Sequence, residues 1–181
     1  MAYVAAAVFA VVSLTALFAG SEACTSVPWM TWTAACQQTD RWDQLCQQTL
    51  QVVPNTAEVT EYALMATRLA KSRYENTFAD VDILLWSGNA NPDALDALDS
   101  CKVKYGVVLS RIASVADQLS ACDFAYARQF YIDAEVAVRT CQDELQTLPN
   151  PYHSWPLFAK VSGDHELTMV AYLLGAIFLG R

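Results

Sequence analysis

Apolar residues recur at alternating spacings of three and four along two consecutive stretches of the chain. Leu98, Cys101, Tyr105, Val108, Ile112, Val115 and Leu119 form the first set. Phe124, Ala127, Tyr131, Ala134, Val138, Cys141 and Leu145 form the second. This spacing keeps one face of an α-helix apolar. Folding the chain back at Ser120 to Asp123 matches the sets layer by layer, Leu98 with Leu145, Cys101 with Cys141, Ile112 with Tyr131 and Leu119 with Phe124. The pattern therefore predicts an antiparallel helical hairpin. Cys101 and Cys141 share one layer about 30 Å from the turn, at a rise of 1.5 Å per residue. A disulfide there would fasten the open end and contribute about 4 kcal/mol through loop closure.

A third helical rhythm starts at Thr56 with Val59, Ala63, Ala66, Ala70, Arg73 and Thr77, and runs through Val81 toward Trp86. Arg73 interrupts its apolar face, and the neighbouring Tyr74 is the residue placed to fill the gap. Small residues at Ala63, Ala66 and Ala70 let another helix approach closely. The stretch from Ser87 to Pro92 stops this helix and starts the next, with Pro92 in the first turn. Pro149, Pro151 and Pro156 mark a loop from Thr147 to Pro156, and a last helix is expected from about Gly163 to Leu179, with Leu167, Val170, Leu174 and Ile177 on its apolar face. Before the bundle, Trp29, Trp32 and Trp42 need cover from the bundle or from another molecule. Asp40 is placed to N-cap a short helix, with Asp43 at its N3 position. The expected fold is all-α: an up-down-up-down four-helix bundle with one chain supplying every helix.

Length and composition add compartment. The 181 residues suit one domain. Met1 to Ala19 is almost wholly apolar and is followed by Gly20-Ser21-Glu22-Ala23, which reads as a secretory signal over 1–23, cut after Ala23 or near Gly20. A membrane anchor is the competing reading of that run, but no basic stop-transfer flank follows it. Six cysteines, Cys24, Cys36, Cys46, Cys101, Cys122 and Cys141, contain no C-x-x-C pair, and His153 and His165 share no ligand spacing with them. Disulfides are favoured over zinc. A bridge between Cys36 and Cys46 would close a small helical hairpin and contribute about 2 to 3 kcal/mol. Cys24 and Cys122 are left over, either to pair or to remain thiols.

The formal net charge of −8 argues against nucleic acid and anionic membranes, and favours a basic partner or simple solubility. There is no G-x-S-x-G elbow, no H-E-x-x-H and no Gly-rich phosphate loop. Asp80 with Asp82, and Asp93 with Asp96 and Asp99, are the acidic groupings; near a helix N-terminus the latter have a structural role in balancing the dipole. Both histidines lie in or beside the Pro-rich loop without an evident partner. The chain is read as no enzyme, with no cofactor, no metal and no catalytic residue.

Two cysteines about ten residues apart, in Ala35-Cys36-Gln37-Gln38-Thr39-Asp40 and Leu45-Cys46-Gln47-Gln48-Thr49-Leu50, follow the leader. Together with Ala97-Leu98-Asp99-Ser100-Cys101 and Val138-Arg139-Thr140-Cys141-Gln142-Asp143, they resemble the plant invertase and pectin methylesterase inhibitor family over about residues 30 to 180. The resemblance implies a four-helix bundle preceded by a helical hairpin, with bridges joining Cys36 to Cys46 and Cys101 to Cys141. It implies a domain over 24–181 that inhibits by binding, often with pH-dependent affinity, over the active-site cleft of a secreted or vacuolar carbohydrate enzyme. Invertase inhibitors of the family often carry a Pro-Lys-Phe triplet where this chain has Phe124, Ala125 and Tyr126. The missing lysine favours pectin methylesterase as the target in the apoplast or cell wall. Acid invertase is the second target, and a non-inhibitory bundle of pollen or seed the third reading. Phe124, Tyr126, Gln129 and Asp133 are the interface candidates, on or near the face away from the mirrored pairs.

Overall fold

The computed structural model describes residues 24–87, 91–148 and 156–180. The leader assigned to 1–23, and His153 with Pro149 and Pro151, lie outside the described residues. The described chain opens with strand β1 (Trp29–Thr31) and helix α1 (Trp32–Cys36), followed by a 3-10 segment (Gln37–Trp42), helix α2 (Asp43–Leu50) and strand β2 (Thr56–Glu58). Thr31 caps α1, its hydroxyl accepting the Ala34 N–H at 3.1 Å. The Cys36–Cys46 disulfide, with Cα atoms 5.4 Å apart, holds the reversal from α1 into α2.

That reversal corrects the expected role of Asp40. Asp40 lies at φ 51° and ψ −121° inside the 3-10 segment, and α2 starts three residues later, after Trp42, with no side-chain cap. Returning the chain between bridged cysteines ten positions apart demands one residue off the helical path, and aspartate tolerates a positive φ better than most. Asp43 is used along the helix, both of its carboxylate oxygens accepting from Gln47 Nε2 at 3.0 and 3.1 Å. Trp32 and Trp42 pack against the core, whereas Trp29 is 62 % exposed.

Thr56 was expected to begin a helix and instead begins β2. The strand pairs antiparallel with β1, with Trp29 opposite Glu58, Met30 opposite Ala57 and Thr31 opposite Thr56. The Tyr62 hydroxyl ties this ribbon to the bundle by donating to the Met30 carbonyl at 3.0 Å.

Helix α3 (Val59–Ser87) follows, then α4 (Pro92–Ser120), α5 (Ala127–Thr147) and α6 (Pro156–Leu179). They form a closed ring in which α3 packs on α4 and α6, and α5 packs on the same two helices. On α3, Ala63, Ala66 and Ala70 are buried, and Tyr74 fills the place that Arg73 vacates. Asn91 caps α4 by accepting the Ala94 N–H at 2.8 Å, with Pro92 at the first helical position.

The hairpin of α4 and α5 follows the mirrored pattern. Every residue of the two apolar sets is buried except Phe124, which is half-buried in the turn. The Cys101–Cys141 bridge closes the open end with Cα atoms 4.8 Å apart. At the other end Cys122, at φ 54°, bonds Cys24, so the two leftover cysteines pair.

Helix α6 begins at Pro156, seven residues before the expected start. Proline is at home in a first turn, where its missing N–H costs no helical bond, so Pro156 opens the helix and does not end the loop. Leu167, Val170 and Leu174 are buried, and Ile177 half-buried. Among the described residues no helix is long and apolar enough to cross a membrane.

Candidate docking surface

The seam between α4 and α5 buries its apolar faces and leaves a polar and aromatic stripe outside. Tyr126, at the N-terminus of α5, is 64 % exposed. Its ring stacks on Phe130 one turn later, with centroids 6.1 Å apart and planes at 28°. From α4 the Arg111 guanidinium lies 4.9 Å above the same Phe130 ring, on which the cation is attracted by the ring's negative face. Arg111 Nε also lies 3.2 Å from Asp133 Oδ2, and Asp133 Oδ1 accepts from Gln129 Nε2 at 2.8 Å. Tyr126, Gln129 and Asp133 thus share one surface. A bonded network holds side chains that would otherwise lose rotamer freedom on binding.

Phe124 is absent from this surface. Its ring packs on Phe178 of α6 at 5.0 Å, in a small cluster with Cys24, Val27 and Val59. The turn carrying it faces the arm bonded at Cys122, so an aromatic side chain there is drawn under the arm. Conversely, Phe130 and Arg111 belong to the stripe although the sequence reading passed over them. The signal was present: Phe130 stands four residues after Tyr126, and folding the chain back places Arg111 opposite Ile132, next to Asp133.

A buried polar layer stiffens the helices behind this surface. Asp164 of α6 is 1 % exposed, and its Oδ2 accepts from Thr77 Oγ1 at 2.7 Å and from the Tyr105 hydroxyl at 2.8 Å. Arg73 Nε approaches Oδ1 at 3.4 Å, close enough for an ion pair though too poorly aligned for a hydrogen bond. Gly163 makes room for it, since a Cβ there would fall 2.6 Å from the guanidinium. Burial pushes the Asp164 carboxyl above the usual aspartate range, against the opposing pull of the two hydroxyl donors and Arg73. Burial likewise raises Tyr105, and the Asp164 charge adds to it. Tyr74 bonds Thr168, and Tyr131 meets Thr67 at 2.5 Å.

Elsewhere a cleft of about 530 Å³ opens at the far end of the hairpin between Asp96, Ser100 and Glu144. His165, expected to lack a partner, lies with Nε2 3.2 Å from Glu135 Oε1. Among the described residues no three His, Cys, Asp or Glu side chains converge as metal ligands.

The fold is that of a disulfide-linked four-helix bundle with a bonded aromatic and polar stripe along the α4–α5 seam. Residues 31–171 match the family described as plant invertase/pectin methylesterase inhibitor, and the chain belongs to that family. Its fold is similar to the crystal structure of a mutant form of a pectin methylesterase inhibitor from Arabidopsis, with a TM-score of 0.69 at 15 % identity, covering 82 % of this chain and 97 % of that one. It is similar also to a pectin methylesterase inhibitor from Arabidopsis thaliana, with a TM-score of 0.62 at 16 % identity, covering 81 % and 95 %. No curated protein matches the chain by sequence.

Proposed function

We propose that this chain is a secreted protein inhibitor that binds a plant pectin methylesterase one to one and covers its active-site cleft. Membership of an inhibitor family supports the class. The observation carrying the choice of target is the substitution of Phe124-Ala125-Tyr126 for the lysine-bearing triplet, with Phe124 turned inward and Tyr126 left as the exposed anchor. Tyrosine offers a large rigid contact with one polar end, which suits the centre of an interface. Gln129, Asp133 and Arg111 then supply the directional contacts around it. The inhibitor itself performs no chemistry in this reading; it excludes pectin from the cleft.

The test is residual activity. The mature protein should abolish pectin methylesterase activity at pH 5 or 7, with the titration breaking at one equivalent. Loss of acid invertase activity instead would reassign the target. No effect on either enzyme would remove the inhibitor reading.

A further inference from the structure

Glu58 is a buried carboxylate, 3 % exposed, at the end of β2 and immediately before α3. Its Oε1 accepts from the Thr60 hydroxyl at 2.6 Å, and its Oε2 accepts from the backbone nitrogen of Cys24 at 2.7 Å. Among the described residues no Lys, Arg or His side chain pairs with it. An ionised carboxylate removed from water is costly unless a positive charge and further donors accompany it. Among the described residues, the atom placed to carry that charge is the Cys24 nitrogen, which already donates to Oε2.

That nitrogen is held where it is by several independent restraints. Cys24 is bonded to Cys122, its carbonyl accepts the Val27 N–H at 3.3 Å, and its side chain packs with Val27 and Val59. The short turn between them places Ser26 at φ 71°, a conformation a serine keeps only when its surroundings impose it. The bond on its other side joins Ala23, with Ser21 two residues earlier, and small residues at these two places suit leader cleavage.

We infer that the Ala23–Cys24 bond is the processing site and that the α-ammonium of mature Cys24 is the counter-ion of Glu58. The step is a hydrolysis by the secretory leader peptidase. Water supplies its oxygen to the Ala23 carbonyl carbon, Ala23 departs as a carboxylate, and the Cys24 nitrogen leaves as an amine that is protonated below its ordinary pKa of about 8. One neutral N–H donor becomes a cation with three. Cleavage thereby completes the site, locking the arm over Phe124, Ile177 and Phe178. A cut near Gly20 would leave an uncharged amide facing Glu58. This inference rests on the secretory reading above.

The chain is secreted from a eukaryotic host under its own leader, and its N-terminus is read by sequencing and intact mass; Cys24 is expected first. An uncut leader overturns the secretory reading and this site with it, whereas a cut at another bond overturns the site alone. Thermal melts then compare protein beginning at Cys24 with protein carrying Gly-Ser ahead of Cys24, each with and without Glu58→Gln. The extension should lower Tm by about 5 to 10 °C in the wild type and by under ~2 °C in the variant. Equal melts of the two wild-type forms overturn the counter-ion. Should Glu58→Gln not fold, NMR titration of the Cys24 α-amine decides: a value above the ordinary one upholds the pair, and a value at or below it overturns the pair.

Discussion

The α4–α5 hairpin and the α3–α6 pair each bury a long face, but different chemistry holds them. Along the hairpin the buried set is aliphatic or small apart from Tyr105, Tyr131 and the Cys101–Cys141 bridge. Between α3 and α6 lie Thr67, Thr77, Asp164 and Thr168, all buried. The two hairpin tyrosines reach across to this layer, Tyr105 to Asp164 and Tyr131 to Thr67. An apolar seam accepts small shifts in side-chain packing, whereas a buried hydroxyl that loses its partner costs about 1 to 3 kcal/mol. The hairpin supplies bulk stability and a covalent clamp; the polar layer fixes how the other pair registers against it.

The contrast can be broken at several points. Replacing Cys141 with Ser should have the largest effect, about 4 kcal/mol from reopening a loop of 40 residues, with Tm falling by roughly 8 to 16 °C and Cys101 becoming reactive to a thiol probe. An unchanged melt would show the clamp to be dispensable. Ile112→Ala, fully inside the apolar seam, should cost about 3 kcal/mol in urea unfolding. Thr77→Val keeps the volume and removes one donor to Asp164, and should cost about 1 to 2 kcal/mol. If those two variants unfold at the same urea concentration, the two regions are not distinguished energetically.

A subtler effect lies in pH. Asp164 titrates higher folded than unfolded, so the folded state binds the additional proton. Stability from this group therefore grows as pH falls through the folded value toward about 4, and is lost as pH rises through the same window. Asp164→Asn should flatten the gain in Tm between pH 7 and pH 4 relative to the wild type. The smallest effect on folding belongs to Tyr126→Ala, within about 0.5 kcal/mol because the side chain is exposed. On the proposed inhibition the same change should weaken binding about tenfold or more, read as a rightward shift of the titration.

The regions also differ in how far they could be read from sequence. The hairpin was legible because its periodicity is strict and its polar face is charged, and because two mirrored cysteines mark the register. Tyr74 could be chosen over Arg73 for the same reason. Helix α6 is apolar nearly all round, so periodicity identified a helix without revealing that Asp164, not an aliphatic residue, lies at the centre of its packing. Its start was missed because prolines read as loop residues even where one opens a helix. The ribbon of β1 and β2 is three residues per strand, too short for alternation to register. On the surface, Tyr126, Gln129 and Asp133 were found from their spacing on one helix. Arg111 and Phe130 needed the partner helix in place.

Two of the three disulfides interlock: one joins Cys24 to Cys122 and another Cys101 to Cys141, so their spans overlap between Cys101 and Cys122. Every peptide bond from Cys24 to Cys141 is therefore bypassed by at least one sulfur link, and a protease that nicks this stretch once sheds no fragment. Helix α6, beyond Cys141, has no disulfide and is held by its buried face and by the hydrogen bonds and ion pair of Asp164, which makes it the segment to look for first in a digest.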